Sequence, residues 1–177
     1  AYLTHSQYGR NGTEVTINNN SSFLTGNAGD SISASSSATT NAYNTEKGVL
    51  ASSTGNVYGI YDLSGGAFEY VAGYYNGSTS SSLTNNGGSF ASNGGTSTKY
   101  ATAYTGTTAS SSYKYGDATY ETSGWNGDYA FFVSSGSPFF TRGGYYNGDS
   151  NAGIFYFIGN GGGSYDNGSF RVSLAVQ

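Results

Sequence analysis

Apolar side chains come along this chain in short alternating runs separated by long polar stretches, and helical periodicity is scarce. Residues 67–74 (AFEYVAGY) place Phe68, Tyr70 and Ala72 on one face of an extended strand, with Ala67, Glu69 and Val71 on the other. Further short strands are expected at 57–62, 130–133, 139–142, 153–158 and 170–176. In the 153–158 run, Phe155 and Phe157 alternate with Ile154, Tyr156 and Ile158. Helix is expected at 1–9 (AYLTHSQYG), where Leu3 and Gln7 share a face beside Tyr8, and as one turn at 45–50. Residues 31–40 and 76–98 are Ser/Thr/Asn/Gly tracts that read as long surface loops. A domain that spends so much chain on connections is expected to use them to present a surface.

Composition narrows the functional classes. The 177 residues suit one domain and include 29 Gly, 18 Tyr and 10 Phe, against six Lys and Arg and ten Asp and Glu. The net charge of −4 argues against a nucleic-acid partner, whose phosphates call for a basic surface. No apolar run approaches the roughly 18 residues of a membrane span. The absence of Cys removes disulfides, thiolate nucleophiles and Cys-ligated zinc. Low charge could leave such a chain disordered, but the aromatics oppose that. Burying one Phe-sized side chain is worth about 1.5–3 kcal/mol, and ordering one Gly costs about 0.5–1 kcal/mol relative to Ala. The balance predicts a fold with long loops and room for a bound ion or partner to add stability. A chain poor in Lys and Glu and rich in Ser, Thr, Asn, Gly and Tyr also leans towards a bacterial surface or secreted domain.

The stretch GNVYGIYDLSGGAFEYV, residues 55–71, carries the sharpest motif. Gly65 and Gly66 permit a tight turn, and Asp62 can accept hydrogen bonds from nearby backbone N–H groups. The string resembles the GNVYGLYDMSGNVWEWV signature of the formylglycine-generating-enzyme/sulfatase-modifying-factor superfamily, which has a C-type-lectin-like fold. Arg142-Gly143-Gly144-Tyr145-Tyr146 resembles that family's RGGSW, and Ser169-Phe170-Arg171-Val172 resembles its closing GFRVA. Ser169 replaces the usual Gly and Tyr146 the usual Trp. Residues 1–5 resemble the segment after the family's Trp-Glu helix, so the resemblance implies one domain, 1–177, truncated at its N-terminus. The implied fold class is α+β: small antiparallel sheets, one or two short helices and long loops. Residues 75–122 align with nothing in the family.

The enzymes of the family oxidise a substrate cysteine with a cysteine pair just after the GGSY/W block. The matching stretch here, 145–157, contains no Cys. Asp62, Glu69, Asp117, Glu121, Asp128, Asp149 and Asp166 are scattered, with no spacing that predicts an acid–base pair. His5 has no partner pattern for nucleophilic catalysis. The chain therefore reads as non-catalytic and requires no cofactor. The resemblance offers Asp62 with the Leu63 carbonyl as a calcium ligand pair, set against Asp62 as a turn-capping side chain.

Residues 142–171 resemble the variable region of C-type-lectin-fold proteins diversified by retroelements, with the frame RGGxWxxGxxAGxFxxxxxxxxSxxxxxxFR; the variable-like block spans about 139–174. Arg142 to Gly144, Ala152, Gly153, Phe155, Phe170 and Arg171 fall in the scaffold positions. The replaceable positions predict the ligand contacts: Tyr145, Tyr146, Asn147, Asp149, Asn151, Tyr156, Ile158, Asn160, Tyr165, Asp166 and Asn167, joined by Trp125. Tyr supplies large amphipathic contact area at low entropic cost, and Asn, Ser and Gly adapt their hydrogen bonds. The expected function is ligand binding or adhesion at a bacterial surface, like the pilin-like and other surface proteins of gut Firmicutes. The expected ligand is a protein, peptide or glycan on another cell or host surface. The alternatives are a structural pilin-like subunit assembling through its aromatic surface and an N-terminal segment, and a divergent enzyme of the formylglycine-generating type.

Overall fold

In a computed structural model of the chain, the described residues are 6, 15–29, 41–77, 81–89, 101–108 and 118–172. Apart from Ser6, the expected helix at 1–9 lies outside them, as does the tract at 31–40. The chain is α+β, with an open five-stranded sheet and short helices. It divides into two compact units, and each is described by itself. The first draws on Ala1–Phe68, Ser123–Ala130 and Gly143–Tyr156, the second on Glu69–Thr122, Phe131–Arg142 and Phe157–Gln177.

The sheet strands are β1 (Phe68–Tyr75), β2 (Thr102–Tyr104), β3 (Phe139–Arg142), β4 (Phe157–Asn160) and β5 (Gly168–Phe170). Their order is β2-β1-β3-β4, and β5 also pairs with β1. β3 lies antiparallel to both β1 and β4, with Glu69 opposite Arg142 and Phe140 opposite Gly159. β2 lies parallel to β1, with Gly73 opposite Thr102, so the sheet is mixed rather than purely antiparallel as expected. Aromatic and β-branched residues suit these pleated, half-buried positions. In the second unit, Phe140 gathers Tyr104, Phe132 and Phe157 at ring separations of 5.3, 5.1 and 6.0 Å, all edge-on. Edge-on pairs of this kind contribute about 0.5–1.5 kcal/mol each beyond their buried area.

The strand expected at 67–74 from alternation and the short strand expected at 139–142 both form, and the single turn at 45–50 appears as a 3₁₀ turn at Gly48–Ala51. Others depart. The polar tract 76–98 holds helix α1 (Ser81–Ser89), whose sequence SSLTNNGGS carries no apolar stripe. Side-chain hydrogen bonds dock it instead: Ser82 Oγ donates to Gly136 O at 3.3 Å, and Asn86 Nδ2 to Gly161 O at 2.8 Å. A second short helix, α2, spans Ala118–Glu121. The segment 57–62 is not a strand. Asn56 Oδ1 accepts the Tyr58 N–H at 2.9 Å, which turns the chain, and a single bridge joins Ser52 to Tyr61. Residues 130–133 form no regular strand, although the Phe131 N–H donates to Phe157 O at 3.0 Å. Residues 153–156 form a turn closed by Tyr156 N–H to Gly153 O at 3.1 Å, so β4 begins only at Phe157. β5 starts at Gly168 and ends at Phe170; residues 173–177 lie outside the described residues. No helix among the described residues is long and apolar enough to cross a membrane.

Candidate functional site

Both double-glycine motifs belong to the first unit, where backbone hydrogen bonds join them to each other and Asn18 holds the first. The Gly66 N–H donates to Asn18 O at 2.7 Å and the Gly65 N–H to Gly143 O at 2.9 Å. The Tyr146 N–H returns to Gly66 O at 2.9 Å. Gly143 and Gly144 have φ of 81° and 73°, a region that L side chains rarely adopt. A Cβ on Gly144 would lie 2.6 Å from the Ala152 Cβ and 2.8 Å from its Cα. Ala152 is fully buried and clusters with Ile17. The scaffold reading of Gly143, Gly144 and Ala152 thus has a steric cause.

Two acidic side chains hold this frame. Asp62, at φ 59°, accepts Asn18 Nδ2 at 2.9 Å and the Gly26 N–H at 3.2 Å from each of its carboxylate oxygens. Asn18 Nδ2 also donates to Leu24 O at 2.9 Å, and its Oδ1 accepts the Asn20 N–H at 2.9 Å. The Asp62 carboxylate is therefore the bracket of a turn. Its expected partner in a calcium site, the Leu63 carbonyl, lies against Gly143, where a Cβ would sit 3.1 Å from it. Among the described residues no group of three or more His, Cys, Asp or Glu side chains comes together. Asp128, 4% exposed, sits against Gly153, where any Cβ would collide with its carboxylate, and its Oδ2 accepts the Phe155 N–H at 2.8 Å. This buried carboxylate closes the turn that aims residues 153–156. Asn18 escaped the sequence reading, and Asp128 stood there only as one of the scattered carboxylates, because their roles depend on partners far along the chain.

The predicted contacts divide between the units. In the first, Asn147, Asp149 and Asn151 are exposed, the last two within a 3₁₀ turn at Asp149–Asn151. Trp125 is 54% exposed and its ring stands edge-on to Phe155 at 5.3 Å. Tyr145 and Tyr146 are half-buried: Tyr145 packs on Phe68 at 4.9 Å, and Tyr146 on Phe23 at 5.5 Å. Tyr156 is a correction. It is 6% exposed, between Phe68 and Tyr129 at 6.2 Å each, because the turn at 153–156 shifts the alternation that would have brought it to the surface. Burial, with Tyr145 and Tyr129 nearby, pushes its hydroxyl pKa up to about 12.

In the second unit Tyr165 and Asp166 are exposed and Asn167 is half-buried. Ile158 is half-buried in β4, opposite Thr141. Asn160, half-buried, is tied into the frame: its Oδ1 accepts the Tyr70 hydroxyl at 2.8 Å and the Gly162 N–H at 2.9 Å. Burial, with Tyr165 nearby, raises the Tyr70 pKa. Arg171 donates through Nε to Glu69 Oε1 at 2.9 Å, joining the arginine of the closing motif to the FEYV strand. Phe170, expected in the scaffold, is 75% exposed and borders a groove that contains none of the predicted contacts. Comparison with protein-family models, with curated proteins and with solved structures gives no match for this chain.

Proposed function

We propose that the chain is a non-catalytic ligand-binding or adhesion domain of a bacterial surface protein, built on a C-type-lectin-like fold and bearing a replaceable contact surface. The observation that supports this reading is the arrangement within Gly143–Tyr156. Buried Gly143 and Gly144 before it and buried Ala152 and Gly153 after it flank the segment that exposes Asn147, Asp149, Ser150 and Asn151. Backbone sterics hold the buried set, so the exposed set can change without disturbing the fold. That division is what a surface diversified by a retroelement requires. The small sheet, short helices and long connections agree with the lectin-like architecture.

The test is a screen of the labelled domain against arrayed glycans, synthetic peptides and extracellular-matrix proteins, beside a Trp125→Ala/Asn147→Ala/Asn151→Ala variant. The wild type should bind at least one class, and the variant should lose about tenfold or more at an unchanged melting temperature. Unaltered binding by the variant, or none by the wild type, refutes the proposal.

A further inference from the structure

The second unit carries a feature that no predicted contact touches: a groove of about 490 Å³, within the roughly 300–1,000 Å³ range of small-molecule sites. We propose that it binds a small uncharged aromatic ligand.

An irregularity in the sheet makes the groove. β1 advances from Tyr70 to Tyr74 while β3 advances only from Thr141 to Phe139. The extra residues in β1 break its alternation, and Tyr70, Val71 and Ala72 all line the same groove. Bulges that re-aim side chains in this way concentrate beside functional sites. On the far side lies Gly162, at φ 77°, where a Cβ would come within 2.6 Å of the Phe139 ring and 3.2 Å of the Asn86 Cβ. Gly162 thus packs directly against the Phe139 and Asn86 walls, in a conformation that glycine favours.

Hydrogen bonds fix the walls before any ligand arrives. Tyr70 donates to Asn160 Oδ1, with Gly163 O 3.3 Å away, and the same Asn160 oxygen holds the Gly162 N–H. Asn86, from α1, is tied to Gly161 O. A site held in place this way avoids much of the ordering cost of binding.

Chemistry selects the ligand. Aromatic carbon from Tyr70, Phe139 and Phe170 dominates the lining, and Phe170 leaves most of its ring in water at the rim. The charged group of the lining, Arg171, is paired with Glu69, so the groove presents no uncompensated charge to an ion. An extended peptide would need strand-edge partners for its main chain. β1 is already paired with β2, β3 and β5, and the Gly161 and Gly163 carbonyls are engaged by Asn86 and Tyr70. A compact planar ring fits both limits.

The test titrates the whole chain with the neutral fluorophore N-phenyl-1-naphthylamine. Wild type and the control Phe131→Ala, an exposed residue of the same unit outside the groove, should show one saturable site. Phe170→Ala, which removes a wall, and Ala72→Leu, which fills the space, should each weaken binding about tenfold. Indole should displace the probe and methyl β-glucoside should not. Absence of saturable binding by the wild type, or equal binding by all four proteins, overturns the site. Displacement by the glucoside alone overturns the aromatic class. Should Ala72→Leu fail to fold, Phe170→Ala decides, because its side chain already lies mostly in water.

Discussion

One methyl group added to Gly144 separates the two costs that a scaffold glycine can carry. Gly124 and Gly144 share nearly the same backbone conformation, with φ of 75° and 73°. A Cβ on Gly124 meets nothing within 4 Å, whereas one on Gly144 would reach the Ala152 Cβ at 2.6 Å and its Cα at 2.8 Å. Placing Ala in the left-handed region costs about 1 kcal/mol at either site. Overpacking against buried backbone adds about 1–3 kcal/mol at Gly144 alone. With about 2–4 °C of melting temperature per kcal/mol for a chain of this size, Gly124→Ala should lower Tm by about 2–4 °C and Gly144→Ala by about 4–16 °C. Scanning calorimetry of the two variants beside wild type measures both shifts. Equal shifts would refute the claim that Ala152 makes the RGG motif a scaffold, and would leave backbone strain as its sole content.

Two further predictions concern the first unit. Asp62→Ala removes the acceptor of the Gly26 N–H and leaves Asn18 Nδ2 only its bond to Leu24 O, and should cost about 1–3 kcal/mol in urea unfolding. A loss under about 0.5 kcal/mol, or a rise in melting temperature on adding millimolar calcium, would contradict the bracket as this carboxylate's role. Tyr156 has its pKa raised above the ordinary 10.0 to about 12, so the fold favours its neutral phenol. The stability it contributes is fully present below pH 10 and lost as the pH rises through about 12. Tyr156→Phe should therefore lose less stability than wild type across that window in urea unfolding; parallel pH profiles would refute the assignment.

What could be read from the sequence follows the range of the forces involved. Alternation is local, so β1 was visible in FEYVAGYY, and the short apolar start of FFTR was enough to suggest β3. Helix α1 was not, because Ser82 and Asn86 stabilise it through acceptors at Gly136 and Gly161, more than fifty residues away. The strand expected at 57–62 failed for the opposite reason: Asn56, a short polar side chain, competes locally for the backbone and turns it. Tyr156 shows how a single turn defeats a correct period. Phe155, Tyr156 and Phe157 alternate on paper, but the Asp128–Phe155 hydrogen bond and the Gly153 turn reset the phase one residue before β4 begins.

The same distinction explains why scaffold and contact residues can be sorted by sequence only in part. Glycines that touch backbone, such as Gly65 against Asn18 and Gly144 against Ala152, are fixed by sterics no other residue can satisfy. They therefore stand out as motifs. Asn and Tyr have no such single role. Asn18 and Asn160 are structural acceptors, whereas Asn147 and Asn151 are exposed; Tyr156 is buried beneath Tyr145, which is only half covered. A residue type that serves equally well as internal hydrogen-bond partner and as surface contact carries no label of which it is doing. On the proposed reading, the chain's reliance on Asn, Tyr and Gly is what would make a contact surface replaceable and, for the same reason, what hides that surface from composition. Phe170 shows the same of Phe: placed in the scaffold by its motif, it stands exposed at the rim of a groove that bulged β1 and Gly162 also line.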